Sequence, residues 1–239
     1  MQLLGDGERV IHLGDRDCSV QRRYQKLIEE APAPLLGDGL RQRLRAAAVA
    51  LGERLRYRGA GTVEFLVDTE NDACYFLEVN ARIQVEHPVT EAVTGLDLVA
   101  EQIAIAEGRP LRIRQEDVEV RGHAIECRVN AEDPAAGFLP SPGTITNAVF
   151  PAGVRVDTHV QAGSAVPPHY DSLLAKVIAH GAGRGEALER LEDALGRCAI
   201  DGVVTNLDMH RKLLADPEFK AGGVDTGYLT RWLAGADHG

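Results

Sequence analysis

Two glutamates and an asparagine are spaced so that a hairpin would bring them onto one face. In GTVEFLVDTENDACYFLEVNARIQVE (61–86), Val63, Phe65 and Val67 alternate with Glu64 and Leu66, and Tyr75, Leu77 and Val79 alternate with Phe76, Glu78 and Asn80. Asp68, Thr69, Glu70, Asn71 and Asp72 form a turn-rich run between them, so the segment reads as two strands of one hairpin. Folded symmetrically about Asn71, it pairs Val63 with Val79, Phe65 with Leu77 and Val67 with Tyr75, giving an apolar face. The same register sets Glu64 opposite Glu78, with Asn80 beside them. Like charges directly opposed in a sheet destabilise it, whereas two carboxylates and an amide oxygen suit a hard cation such as Mg²⁺ or Mn²⁺. The competing reading is two solvated glutamates on a wet strand face.

Glu78, Asn80, Arg82, Gln84 and Glu86 share one parity, alternating with Val79, Ala81, Ile83 and Val85. Fully extended, the five would span roughly 26 Å, too far for one small ligand, so a bend after the strand is expected to gather them. His87-Pro88 closes the run, because proline cannot continue a ladder.

These residues must be held by a larger scaffold. The chain of 239 residues is 44% hydrophobic and 26% charged, enough for one large or two small cored domains. A net charge of −10 argues against general binding to nucleic acid or an anionic membrane. Cys18, Cys74, Cys127 and Cys198 lack zinc or dithiol spacing and read as free thiols of a reducing compartment, the cytoplasm. No apolar run reaches membrane-spanning length and no signal peptide is visible.

Strands are expected at 1–4 and 10–13, separated by a Gly5-Asp6-Gly7 turn, and Asp38 is placed as the cap of a helix over 40–56. The segment 58–61 reads as a turn into the hairpin. A helix over 98–107 is capped by Asp97 and stopped by Gly108, and the polar stretch 112–121 is a connection. Short strands follow at 124–129, 144–150, 154–160 and 173–180. Helices are expected at 186–198, after an Asn206 cap, and at 228–233. Separated runs of strands and helices indicate an α+β fold. On the strand 124–129, Ile125, Cys127 and Val129 are expected inward, with Glu126, Arg128 and Asn130 outward. His12, His159, His169 and His210 have no ligand-like spacing and read as structural or surface groups.

FLEVNARIQVEHPVTEAVTGLDLVAEQIAIAEG resembles the metal and bicarbonate region of biotin carboxylase, an ATP-grasp ligase. RDCSVQRRYQKLIEEAPAP, GHAIECRVNAEDP, FLPSPGTI and YDSLLAKVI resemble further blocks of that family, in the same order. The resemblance covers nearly the whole chain. It implies the carboxy-terminal part of an ATP-grasp domain over 1–112, a connector over 113–122 and a biotin carboxylase C-terminal domain over 123–239. The family's glycine-rich loop and phosphate-holding lysines have no counterpart here, so the chain is expected to begin within the ATP-grasp domain.

Carried over position by position, the resemblance implies Glu64, Glu78 and Asn80 as metal ligands, the two glutamates also lying against ATP. It implies Lys26, Arg82, Gln84 and the Val85 amide around bicarbonate, Glu86 as the base that deprotonates it, Arg128 beside the biotin enolate, and Gln21 near the nucleotide ribose. Tyr24 replaces a histidine common in the family, and Asp171 and Arg155 resemble interface positions. The implied cofactors are ATP, Mg²⁺ or Mn²⁺, and carrier-linked biotin. The implied partners are a biotin carboxyl carrier protein or domain, a carboxyltransferase and a second copy of the chain. Two alternatives stand beside this: another ATP-grasp carboxyl-activating ligase, such as half of a carbamoyl-phosphate synthetase, or a catalytically silent binding fragment.

Overall fold

In the computed structural model, which describes residues 1–235, the chain divides into two compact units. The first contains Met1–Asp17 and Glu30–His123, and the second contains Cys18–Glu29 and the described residues from Ala124 onward. Residues 18–29 therefore belong with the carboxy-terminal half, unlike the consecutive division expected from the sequence.

In chain order the elements begin β1 (Gln2–Asp6), β2 (Val10–His12), β3 (Asp17–Arg22), β4 (Gln25–Ala31) and α1 (Asp38–Arg54). The hairpin β5 (Arg58–Asp68) and β6 (Ala73–Asn80) follows, then α2 (His87–Thr94), α3 (Leu98–Ala106) and β7 (His123–Asn130). Short strands β8 (Glu132–Asp133), β9 (Leu139–Pro140), β10 (Gly143–Thr144), β11 (Asn147–Val149), β12 (Arg155–Thr158) and β13 (Ala165–Val166) precede the long β14 (Leu173–Gly181). The chain continues through α4 (Arg184–Arg197), β15 (Ala199–Asp201), α5 (Leu207–Ala215), α6 (Pro217–Ala221) and α7 (Tyr228–Gly235).

The first unit is built on an antiparallel sheet in the order β2-β1-β5-β6. α1 lays Leu40, Leu44 and Ala48 on one face, against Leu3, Val10 and Val63. α3 lays Leu98 and Ile105 on the other, with Leu4, Ile11 and Ala60. Each apolar face removed from water contributes roughly 25 cal/mol per Å². β5 starts at Arg58, so 58–61 is strand and not turn. Gly61 is needed because Tyr57 folds back over it, its hydroxyl donating to the Ala60 carbonyl at 3.0 Å, and a Cβ there would overlap the ring. β1 likewise runs on through Gly5 to Asp6, whose carboxylate accepts from the backbone N–H of Glu8 and Arg9 to make the turn.

α1 begins at Asp38, which lies in the first turn; Gly37 holds the cap position without a side-chain bond. Asp97 caps α3 as expected, accepting from the Ala100 N–H at 2.8 Å. α2 was not legible in the sequence, its apolar face being short and Pro88 reading as a stop; proline is tolerated in the first turn of a helix and stands there.

The second unit carries a five-stranded sheet in the order β12-β14-β7-β4-β3. α4 covers it with Ala187, Leu188, Leu191 and Leu195, packed with Ile125, Cys127, Val129 and Val177. The expected strand 144–150 is two short strands, β10 and β11. Asn206 does not cap α5 with its side chain. Its amide instead accepts from the Asn130 N–H at 2.8 Å and donates to the Arg128 carbonyl at 3.0 Å.

Candidate functional site

One row of β5 sets the site. Ala60, Thr62, Glu64 and Leu66 alternate onto a single face. Ala60 and Thr62 are buried, Glu64 is half-buried and Leu66 is exposed, so the row runs from core to open surface. Val63 pairs with Val79 and Glu64 with Glu78, as the sequence predicts. A register shift after Glu64 then pairs Phe65 with Phe76, Leu66 with Tyr75 and Val67 with Cys74. The expected pairs Phe65–Leu77 and Val67–Tyr75 are thereby corrected. The extra residue of a bulge flips side-chain parity: Cys74 joins the α1 core, Phe76 meets Phe65 edge-on, and Tyr75, Phe76 and Leu77 are all left exposed.

Asn80 and Gln84 tie the opposed carboxylates together. The Asn80 amide NH₂ donates to Glu78 at 2.8 Å and to Glu64 at 3.3 Å, and the Gln84 NH₂ donates to Glu64 at 2.8 Å. β6 ends at Asn80 and the chain bends before α2, which returns Gln84 to β5. The Gln84 carbonyl pins that bend, accepting from the His87 N–H at 3.2 Å and contacting His87 Nδ1 at 2.9 Å.

The two carboxylates and the Asn80 amide fit a hard divalent cation by donor type. Ligation through the amide oxygen requires Asn80 to turn, since its NH₂ now faces the carboxylates. Among the described residues no group of three or more His, Cys, Asp or Glu side chains is placed to hold a metal. A cation here would complete its shell with water or phosphate oxygens.

Glu86 is buried and stands at the start of α2, where the helix's amide end favours negative charge. Arg82 is exposed, its guanidinium donating to the Ile83 carbonyl at 3.1 Å, and Val85 is half-buried. Thus Glu64, Glu78, Asn80 and Gln84 form one bonded cluster, with Arg82, Val85 and Glu86 on the same bend.

Lys26, Gln21 and Arg128 belong to the second unit. Gln21 lies on β3 and Lys26 on β4. Tyr24, at the tip between them, is 94% exposed with positive φ. Arg128 on β7 is bound by Glu29, whose Oε1 accepts from Nε at 2.6 Å and also from Nη2. Glu126 is completely buried, which corrects the expectation of an outward-facing Glu126 beside Arg128; β7 is the central strand of its sheet, flanked by β14 and β4. His210 holds the strand from behind, with Nε2 2.7 Å from the Arg128 carbonyl. Burial lowers the His210 pKa to about 4, against the bond to that carbonyl, so the ring is neutral and donates. His159 and His169 are exposed. Arg155 pairs with Asp157 at 2.8 Å and Asp171 accepts from the Leu173 N–H at 2.8 Å, both at the surface.

Sequence reasoning missed Arg16, a polar node of the first unit with four side-chain acceptors. Its guanidinium donates to Gln2 Oε1 at 2.7 Å, Thr90 Oγ1 at 2.9 Å, Thr62 Oγ1 at 3.1 Å and Gln84 Oε1 at 2.8 Å. The available signals were the charged triplet Asp15-Arg16-Asp17 and the place of Arg16 at the head of the family-like block RDCSVQRRYQKLIEEAPAP.

Residues 1–114 match the family model "Carbamoyl-phosphate synthase L chain, ATP binding domain", and residues 126–231 match "Biotin carboxylase C-terminal domain". The biotin carboxylase of Pseudomonas aeruginosa is 53% identical over 100% of this chain and 53% of its own length. The chain belongs to the biotin carboxylase family. The carboxy-terminal match separates it from a carbamoyl-phosphate synthetase half, which the first model alone leaves open.

Biotin carboxylase 1 of Bacillus subtilis is 50% identical over 96% of this chain and 52% of its own. The structure of the biotin carboxylase domain dimer of Hydrogenobacter thermophilus 2-oxoglutarate carboxylase, in complex with MgADP, ADP and bicarbonate, superposes with a TM-score of 0.93. It is 45% identical over 96% of this chain and 51% of that one. Kluyveromyces lactis urea carboxylase also gives 0.93, at 48% identity over 95% of this chain and 20% of that one. The chain thus spans about half the length of the curated biotin carboxylases it matches. No helix among the described residues is long and apolar enough to cross a membrane.

Proposed function

We propose that this chain supplies the metal and bicarbonate half of an enzyme that carboxylates carrier-bound biotin at the expense of ATP. The observation that carries this reading is Glu64 opposite Glu78, bridged by Asn80 and joined to Gln84 at 2.8 Å on one sheet face. Opposed carboxylates held in place by neutral amides are arranged for a cation. Bound there, Mg²⁺ or Mn²⁺ would neutralise charge on the ATP phosphates during phosphoryl transfer.

The remaining roles fall to this chain's residues. Arg82, with its planar fork, grips bicarbonate, together with Gln84, the Val85 amide and Lys26. Glu86 takes the bicarbonate proton, and the resulting oxyanion attacks the γ-phosphorus, expelling ADP and forming carboxyphosphate. Carboxyphosphate releases carbon dioxide and phosphate. The ureido nitrogen of biotin gives its proton to the released phosphate and bonds to the carbon of carbon dioxide, forming carboxybiotin, while Arg128 stabilises the negative charge that develops on the ureido oxygen. Gln21 lies by the nucleotide. Along the sequence the two family regions run over 1–112 and 123–239 with a connector between, although residues 18–29 fold with the second unit. The setting is cytoplasmic, and the partners are a biotin carboxyl carrier, a carboxyltransferase and a second copy of the chain.

The deciding experiment joins the amino-terminal part of the Pseudomonas aeruginosa relative to this chain. Bicarbonate-dependent ADP release and biotin carboxylation by the chimera are expected, with Arg82→Ala losing both. Arg128→Ala is expected to lose biotin carboxylation while retaining more of the biotin-independent ATP cleavage. A folded chimera inactive in both reactions refutes the reading. The 239-residue chain alone is expected to be nearly inactive, because positioning supplies most phosphoryl-transfer catalysis.

A further inference from the structure

We infer that Arg16 is a positioning residue that locks the Gln84 carboxamide in the orientation its proposed anion-binding role requires. This rests on the bicarbonate reading for its function, though not for its geometry. A glutamine amide has two nearly isosteric ends, one accepting and one donating, and only neighbouring groups decide which end faces which way. Arg16 decides it for Gln84. The guanidinium has donors only, so it fixes Oε1 of Gln84 on its own side at 2.8 Å and turns the NH₂ to Glu64 at 2.8 Å. One amide hydrogen is used by Glu64 and the other is left to donate. The flipped amide would set its oxygen against the Glu64 carboxylate and its NH₂ against the guanidinium, losing both bonds.

Arg16 can do this because it is itself immobilised. Its other acceptors are Gln2 Oε1, Thr62 Oγ1 and Thr90 Oγ1, on β1, β5 and α2 respectively, and all three residues are buried. The Gln2 amide is fixed in turn, its NH₂ donating to the Leu3 and Gly61 carbonyls at 3.0 Å. The fork thus ties three elements to the bend that carries Gln84. All four acceptors are neutral, so the positive charge beside the Glu64–Gln84 contact is not cancelled by any of them. A lysine at this position keeps the charge but has three donors on a flexible stem and cannot reproduce the fork.

The test is nuclear magnetic resonance of the 239-residue chain labelled with ¹⁵N at glutamine side chains, comparing wild type, Arg16→Lys and Thr90→Val. In wild type the Gln84 NH₂ is expected to exchange slowly with water and to show a nuclear Overhauser contact to Glu64. In Arg16→Lys its exchange should accelerate at least about tenfold, while Gln115, whose amide bonds to the His12 backbone, stays unchanged. Thr90→Val, which loosens the guanidinium without removing it, should give a smaller acceleration in the same direction. Equal Gln84 protection in a folded Arg16→Lys chain overturns the inference. If Arg16→Lys does not fold, an unprotected Gln84 in wild type, or a Thr90→Val spectrum with Gln84 unmoved, overturns it equally. Titration with ¹³C-bicarbonate separates the two readings: a locked Gln84 amide that bicarbonate does not shift refutes the anion site and leaves the positioning role standing.

Discussion

Two carboxylate sites, one in each unit, are handled in opposite ways. Glu64 and Glu78 in the first unit stand opposed on an open sheet face, steadied by neutral amides from Asn80 and Gln84. Glu29 in the second is wholly buried and answered by a full charge, Arg128. A buried carboxylate must be compensated within the protein, because water cannot reach it. A half-exposed pair can persist with its charge only partly neutralised and so remain available to a cation from outside. One site is closed electrostatically and the other is open.

The sharpest break of that contrast is Arg128→Met, which strands Glu29 without its guanidinium. Removing one partner of a buried ion pair costs about 3–5 kcal/mol. Urea unfolding of the isolated chain should show a loss of that order, whereas the double variant Glu29→Gln/Arg128→Met should recover part of it. No recovery would mean that the pair is not the reason for the loss.

A somewhat smaller effect is expected from pH. Burial holds His210 at about 4, against an ordinary value near 6.5. Below pH 6.5 the unfolded chain takes up a proton that the folded ring resists, so stability falls as pH drops from about 6.5 to about 4. Below about 4 both states are protonated and the loss levels off, at a total near 3 kcal/mol. His12, lowered to about 4 by burial and by Arg45, adds a similar trend. His210→Gln should flatten the slope of unfolding free energy against pH in that window, and an unchanged slope would disprove the assignment.

The smallest effect belongs to the open site. Glu78→Gln relieves the cross-strand repulsion and should stabilise the metal-free chain by up to about 1 kcal/mol. The same variant should weaken manganese binding, read from the electron paramagnetic resonance signal of free Mn²⁺. A variant destabilised without metal would show that the carboxylates are already neutralised, and the contrast between the two sites would lapse.

The open site was far more legible than the closed one. Period-two alternation in 61–67 and 75–80 places Glu64 against Glu78 without any tertiary information, and that pairing is observed. Beyond Glu64 the alternation misleads, because a bulge leaves no mark in a row where Phe76 and Leu77 are both apolar. β4 was invisible for a different reason. QKLIEEA looks half polar, yet its last five residues are buried. Glu29 is compensated by Arg128, 99 residues away, and Glu30 bonds His123 at 2.7 Å across 93 residues.

What the sequence determined by itself is therefore local: the alternating strands, the Asp97 cap, the opposed glutamates, and the blocks that mark the family. Those features follow from side-chain period and from groups a few residues apart. Tertiary structure alone decided which polar groups are buried together. Whether a glutamate on a strand is solvated or sealed, and which end of the Gln84 amide faces Glu64, depends on partners such as Arg128 and Arg16 that no periodicity links to them. Burying charge is tolerable only where such a partner arrives, and its arrival is a property of the folded chain.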